Sequence, residues 1–141
     1  MTTFALRILL AAAVALAVAG CGANEYLGKP KEPEPNIVPA NYKQEILDTL
    51  RQTLDDPTNV RDAAISEPAL VQIGREQRFA SCIRANSRDS ARQYTGVKVR
   101  IAIFFAGRLN QLVEAGKDQC VNAAYKPFPE LEKVCLSKEC T

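Results

Sequence analysis

Histidine and tryptophan are both absent from the 141 residues, and methionine occurs once. Without histidine the chain lacks the commonest general base and the commonest metal ligand. A serine nucleophile would then need a lysine or carboxylate to take its proton. The serines at positions 66, 81, 87, 90 and 137 include no Ser-x-x-Lys run, so hydrolase chemistry has no recognisable base. Without tryptophan, stacking on carbohydrate would fall to tyrosine or phenylalanine. An excess of either charge is missing too. Eighteen basic against 16 acidic side chains leave a net charge of +2, and no whole-molecule field favours nucleic acid. Nor is there a membrane span: the apolar run from Ile8 to Ala19 is shorter than the roughly 20 residues a spanning helix needs.

What that run does provide is a leader. Arg7 supplies a positive start, Ile8 to Ala19 an apolar core, and Ala19-Gly20 small residues where a peptidase must reach the backbone. Val18-Ala19-Gly20-Cys21 resembles the lipobox of bacterial lipoproteins. The resemblance implies that Cys21 is diacylated, becomes the new N-terminus and receives an N-acyl chain; no other cofactor is expected. Each buried methylene contributes about 0.8 kcal/mol, so two or three acyl chains anchor a protein durably where one does not. The same resemblance implies a bacterial envelope location facing the periplasm, and Gly22 after the cysteine favours the outer membrane. Removing residues 1–20 leaves 121 residues and takes away one charge, Arg7. That length suits one domain on a tether.

The tether is expected at 21–40. Pro30, Pro33, Pro35 and Pro39 alternate with Lys29, Lys31, Glu32 and Glu34, a composition that favours extended polyproline II. At about 3.1 Å per residue it could reach roughly 60 Å from a bilayer. Residues 41–141 then form a single domain with four cysteines, Cys82, Cys120, Cys135 and Cys140. Wide spacings and the absence of histidine argue against zinc. An exported small domain argues for two disulfides, with three connectivities open.

Periodicity predicts an α+β fold with one N-terminal helix packed on an antiparallel meander of about four strands. Asn41 and Gln44 match a capping box, and Tyr42, Ile46, Leu47, Leu50 and Leu54 fall on one helical face. Asp55-Asp56-Pro57 ends the helix, because a residue before proline leaves the α region. Strands are expected over Val60–Ile65, with Pro68 confining its continuation to an edge, then Gln77–Asn86, Val97–Phe105 and Leu109–Val113. In the second, Phe79, Ile83 and Ala85 oppose Ala80, Cys82 and Arg84; in the third, Val97, Val99, Ile101, Ile103 and Phe105 oppose Lys98, Arg100, Ala102 and Phe104. Grouping Ala80 and Cys82 with Ala102 and Phe104 leaves an uncovered outer face. The tail after Cys120, carrying Phe128 and Leu131, could cover that face if Cys120 is stapled to Cys82. Cys82–Cys120 with Cys135–Cys140 is therefore the favoured pairing.

Several runs between residues 45 and 131 resemble small bacterial envelope lipoproteins and periplasmic proteins of unassigned chemistry. They are Leu54-Asp55-Asp56-Pro57, Val60-Arg61-Asp62, Cys82-Ile83-Arg84-Ala85-Asn86, Tyr94-Thr95-Gly96 and Ala124-Tyr125-Lys126-Pro127-Phe128-Pro129-Glu130-Leu131. The resemblance implies a helix plus an antiparallel sheet and no particular activity. From the residues themselves, Asp55, Asp56 and Asp62 read as turn formers. Arg84, Arg88, Arg92, Lys98 and Arg100 read as a patch able to grip oxyanions, because guanidinium forks engage carboxylate and phosphate in bidentate fashion. The expectation is a non-catalytic binding or structural module, held to the membrane by lipid and meeting an envelope protein, peptidoglycan or lipopolysaccharide. A second reading is a proteinaceous inhibitor of a lytic envelope enzyme, inserting the loop 86–96.

Overall fold

The computed structural model describes residues 36–134. The leader, Cys21, most of the tether, Cys135 and Cys140 lie outside the described residues. The chain runs through helix α1 (Tyr42–Thr53) and strands β1 (Asp56–Ser66), β2 (Ala69–Ile73), β3 (Glu76–Arg88), β4 (Tyr94–Phe105), β5 (Arg108–Glu114) and β6 (Tyr125–Pro127). A one-turn helix α2 (Pro129–Glu132) follows. All six strands join one antiparallel sheet ordered β5-β4-β3-β1-β6, with β2 taking over beside β3 where β1 stops. One helix on a four-strand meander is therefore incorrect. The added pieces are short and proline-bearing: β6 is three residues containing Pro127, and α2 begins at Pro129. Neither is long enough to show a period of two or of 3.6.

Helix α1 buries Ile46, Leu47 and Leu50, with Tyr42 and Leu54 packed beside them. Its capping box does not form. Asn41 makes no side-chain cap, and Gln44 Nε2 instead donates to Asp48 Oδ1 at 2.8 Å. The first-turn Glu45 ties the helix to β5, because its carboxylate accepts from Arg108 Nε and from the Leu109 amide, both at 2.6 Å. Leu54 turns extended at ψ 139° and ends the helix three residues before Pro57.

Strand β1 is bent by irregularities. Its register with β3 shifts between Asp56 and Arg61 and again between Arg61 and Ala64, and Asn59 and Asp62 sit there at φ 53° and 54°. Asn and Asp tolerate the left-handed region better than other side chains, and one extra residue at a bulge sharpens the twist. The β2–β3 turn is Gly74-Arg75, with Gly74 at φ 61° as a type II′ hairpin needs at its first position. The β4–β5 turn is Ala106-Gly107, both at positive φ. A Cβ on Gly107 would stand 3.1 Å from the Ile37 side chain, so the segment before α1 lies against this turn. Asn36 also donates to the Gln77 carbonyl at 2.8 Å, and Pro39 is buried. Residues 36–40, expected in the tether, thus dock on the domain.

The faces of β3 divide as expected, but its alignment with β4 does not. Ile83 lies opposite Arg100, Ala85 opposite Lys98, and Ala80 opposite Ile103. Residues directly opposite share a face. Hence Ala102 and Phe104 point toward α1, joining Ile83 and Ala85, while Ile101 and Ile103 join Ala80 on the far side. Phe128 and Leu131 also go to the helix side, both fully buried. The Phe128 amide bonds to the Ala63 carbonyl at 2.9 Å, and Glu132 Oε1 accepts from the Ala63 amide at 2.9 Å. The tail therefore wraps over the β1 edge into the main core instead of covering the far face.

Candidate functional site

The far face is closed by a covalent bond. Cys82, projecting from β3, pairs with Cys120, their Cα atoms 5.7 Å apart and 38 residues apart in sequence. Cys120 sits at φ 64° in the irregular stretch between β5 and β6. The bond draws that stretch over the sheet, where Ala115 and Cys120 pack on Ala80, Ile101 and Ile103. In the chain-entropy account a loop of this length contributes about 4 kcal/mol. Between the stretch and the sheet lies a cavity of ≈ 660 Å³. Ala69, Val71 and Ile73 line it from β2, Ala80 and Ile101 from the sheet floor, and the disulfide from one end.

At the β1–β2 break the backbone is satisfied locally. Ser66 Oγ accepts from the Cys82 amide at 2.8 Å, and Ser81 Oγ donates to the Ser66 carbonyl. A strand interrupted by Glu67-Pro68 would otherwise leave buried polar groups without partners. At the cavity's rim Lys126 pairs with Glu67; this partner raises the lysine pKa and lowers that of the glutamate.

The five basic candidates do not form one patch. Arg84 stands on the disulfide face, between Ala64 on β1 and Val99 on β4, its guanidinium 4.9 Å from the centroid of the Tyr125 ring. Lys98 and Arg100 lie on the opposite face; Lys98 comes within 3.8 Å of Glu114, and Arg100 is opposite that same residue. Arg88 is occupied by Asp56 at 2.6 Å and by Thr58 Oγ1 at 3.1 Å. The Asp56 carboxyl accepts first from the Thr58 hydroxyl and amide, and its pKa falls below the ordinary 3.8, with Arg88 adding to the effect. Arg92 is exposed at φ 60° in a loop of only five residues, 89–93. That loop closes on itself: Asp89 accepts from the Gln93 amide at 2.9 Å, and their main chains pair as well. Most of 86–96 is strand, so no long arm projects from this end.

A residue outside the expected set takes the place of the displaced ones. Arg61, opposite Asn86 and hence on Arg84's face, stacks 4.3 Å from the centroid of Tyr94. Tyr94 is fixed by its hydroxyl, which donates to the Asn59 carbonyl at 2.8 Å. Burial raises the pKa of Tyr125 against the opposing pull of Arg84. Neither Arg61 nor Arg84 forms a salt bridge with a carboxylate among the described residues. Two flat guanidiniums, each stacked on a tyrosine, therefore sit on one face with edge donors free for an oxyanion. Arg61 and Tyr94 are 33 positions apart in sequence, and only the bulged register of β1 decides which face Arg61 takes.

Comparison with protein-family models, with curated proteins and with solved structures finds no match for this chain.

Proposed function

We propose that this chain is a lipid-anchored protein of the bacterial envelope, acylated at Cys21, which works as a non-catalytic binding module. Its binding surface is the disulfide-bearing face, and the group it grips is an oxyanion of an envelope component. The observation that carries this reading is the pair of tyrosine-stacked guanidiniums, Arg61 and Arg84, on one side of one sheet. Stacking holds each fork flat, so less side-chain freedom is lost when a carboxylate or phosphate is met. The leader and Cys21 supply the address, which puts peptidoglycan carboxylates and lipopolysaccharide phosphates within reach.

Co-sedimentation of the full chain with purified peptidoglycan sacculi, and separately with vesicles containing lipopolysaccharide, tests the reading. Binding to one of them should fall at least tenfold in an Arg61→Ala/Arg84→Ala variant, while Lys98→Ala/Arg100→Ala on the opposite face leaves it unchanged. Equal binding by all three proteins, or loss only with the Lys98/Arg100 pair, would contradict the assignment.

A further inference from the structure

We infer that the outer edge of β2 is a pairing site for a second copy of this chain, joining two sheets into one. Among the described residues the other exposed edges carry devices that discourage pairing: the part of β4 beyond β5, residues 94–99, holds Lys98 and a positive-φ Gly96. Strand β1 carries Pro57 as its second residue and is irregular around Asn59 and Asp62. Strand β5 has the Leu109 amide taken by Glu45 and a register shift between Leu109 and Gln111, and β6 is three residues long and ends in Pro127. Strand β2, Ala69-Leu70-Val71-Gln72-Ile73, has no charge, proline or bulge, and it pairs only with β3 among the described residues. Leu70 is 49% exposed.

The hairpin fixes which backbone groups are free. A two-residue turn makes Ile73 and Glu76 a hydrogen-bonded pair, so Val71–Arg78 and Ala69–Ala80 are hydrogen-bonded as well. The amides and carbonyls of Leu70 and Gln72 then point away from β3. The Gln77 carbonyl obeys the same parity: it points away from β2 and accepts from Asn36.

These two outward residues are symmetric about Val71, which selects the occupant. A second β2, antiparallel and centred on Val71, would exchange four main-chain hydrogen bonds, Leu70 with Gln72 in both directions. Large then meets small, since Ile73 falls opposite Ala69 of the other copy. The ladder ends where it must, with Pro68, which has no amide, opposite Gly74, which has no side chain. One step further Arg75 arrives level with Glu67 of the second copy, so opposite charges flank the pairing at both ends. Five residues per copy bury less than the 1,200–2,000 Å² typical of stable complexes, so pairing is weak in dilute solution and gains from confinement on a membrane. The twofold runs perpendicular to the sheet, so both disulfide faces, each with its Arg61 and Arg84, look the same way.

The full chain with Gln72→p-benzoylphenylalanine, irradiated in isolated envelopes, tests the pairing. It should yield a product of twice the mass, cross-linked within residues 69–73 of the second copy, with the same photoprobe at Gln111 on the β5 edge giving under a tenth of that yield. Adding Leu70→Lys, which alters only an exposed side chain, should cut the product at least tenfold while circular dichroism stays unchanged. No doubled product, equal yields from both edges, a link outside β2, or a product with a different protein overturns the inference. Each result is independent of oxyanion binding, so a failure there leaves this one separately scored.

Discussion

The two faces of the sheet are stabilised by different means. On the helix side 13 buried residues form one cluster, from Ile46 and Leu50 of α1 through Ile83 and Phe104 to Phe128, Leu131 and Val134. On the other side, among the described residues, only Ala80, Ile101 and Ile103 form a buried cluster, and a disulfide holds an irregular stretch over them. Where enough apolar surface is present, helices dock and burial of each large side chain stabilises by about 1.5–3 kcal/mol. Where it is not, a covalent link restricts the unfolded chain instead. The first arrangement leaves a cavity of ≈ 240 Å³ at the start of α1, and the second leaves one of ≈ 660 Å³ and two guanidiniums with no carboxylate partner among the described residues. The proposed binding surface is the less completely packed of the two.

The contrast can be broken at several points. Phe104→Ala removes one of the two fully buried phenylalanines of the packed face and should cost about 3–5 kcal/mol, read as a shift in the urea midpoint. The double change Cys82→Ala/Cys120→Ala should cost less, up to about 4 kcal/mol, because it removes a restraint on the unfolded chain and little buried surface. Using both substitutions avoids leaving an unpaired thiol and leaves Cys135 and Cys140 untouched. The smallest effect belongs to the Asp56–Arg88 pair, remote from both cores. A lowered pKa in the fold means that the stabilisation is complete above about pH 4 and is lost as the pH falls through the lowered value. Asp56→Asn should therefore flatten the acid side of the stability profile and leave its neutral side little changed, as urea titrations between about pH 2 and pH 7 would show.

How much of this was legible from the residues alone depends on whether the information was local. The helical face of Tyr42, Ile46, Leu47, Leu50 and Leu54, the split faces of β3 and the stop before Pro57 are properties of consecutive residues, and all are observed. Cys82–Cys120, favoured because a bare face needed a cover, is observed too, although the tail residues expected to come with it went to the other side. The alignment of β3 with β4 was not legible. Strand β4 is apolar on both faces near its end, with Ile101 and Ile103 on one and Ala102 and Phe104 on the other. Counting apolar residues picks the wrong face, because a single phenylalanine fills the space under α1 that several valines would not reach. Reversing one strand moves its whole side-chain set. That reversal separated Lys98 and Arg100 from Arg84, while the bulges of β1, whose position no period reveals, brought Arg61 in.

Amide hydrogen exchange, comparing the native protein with the Cys82→Ala/Cys120→Ala variant, tests most directly the claim that one face is packed and the other tethered. Amides of residues 115–124 and of β2 should lose protection in the variant, while those of α1 and of the Ile83–Ala85 stretch of β3 keep most of theirs. Uniform loss across both groups, or full retention in 115–124, would show that the disulfide does not hold that face separately.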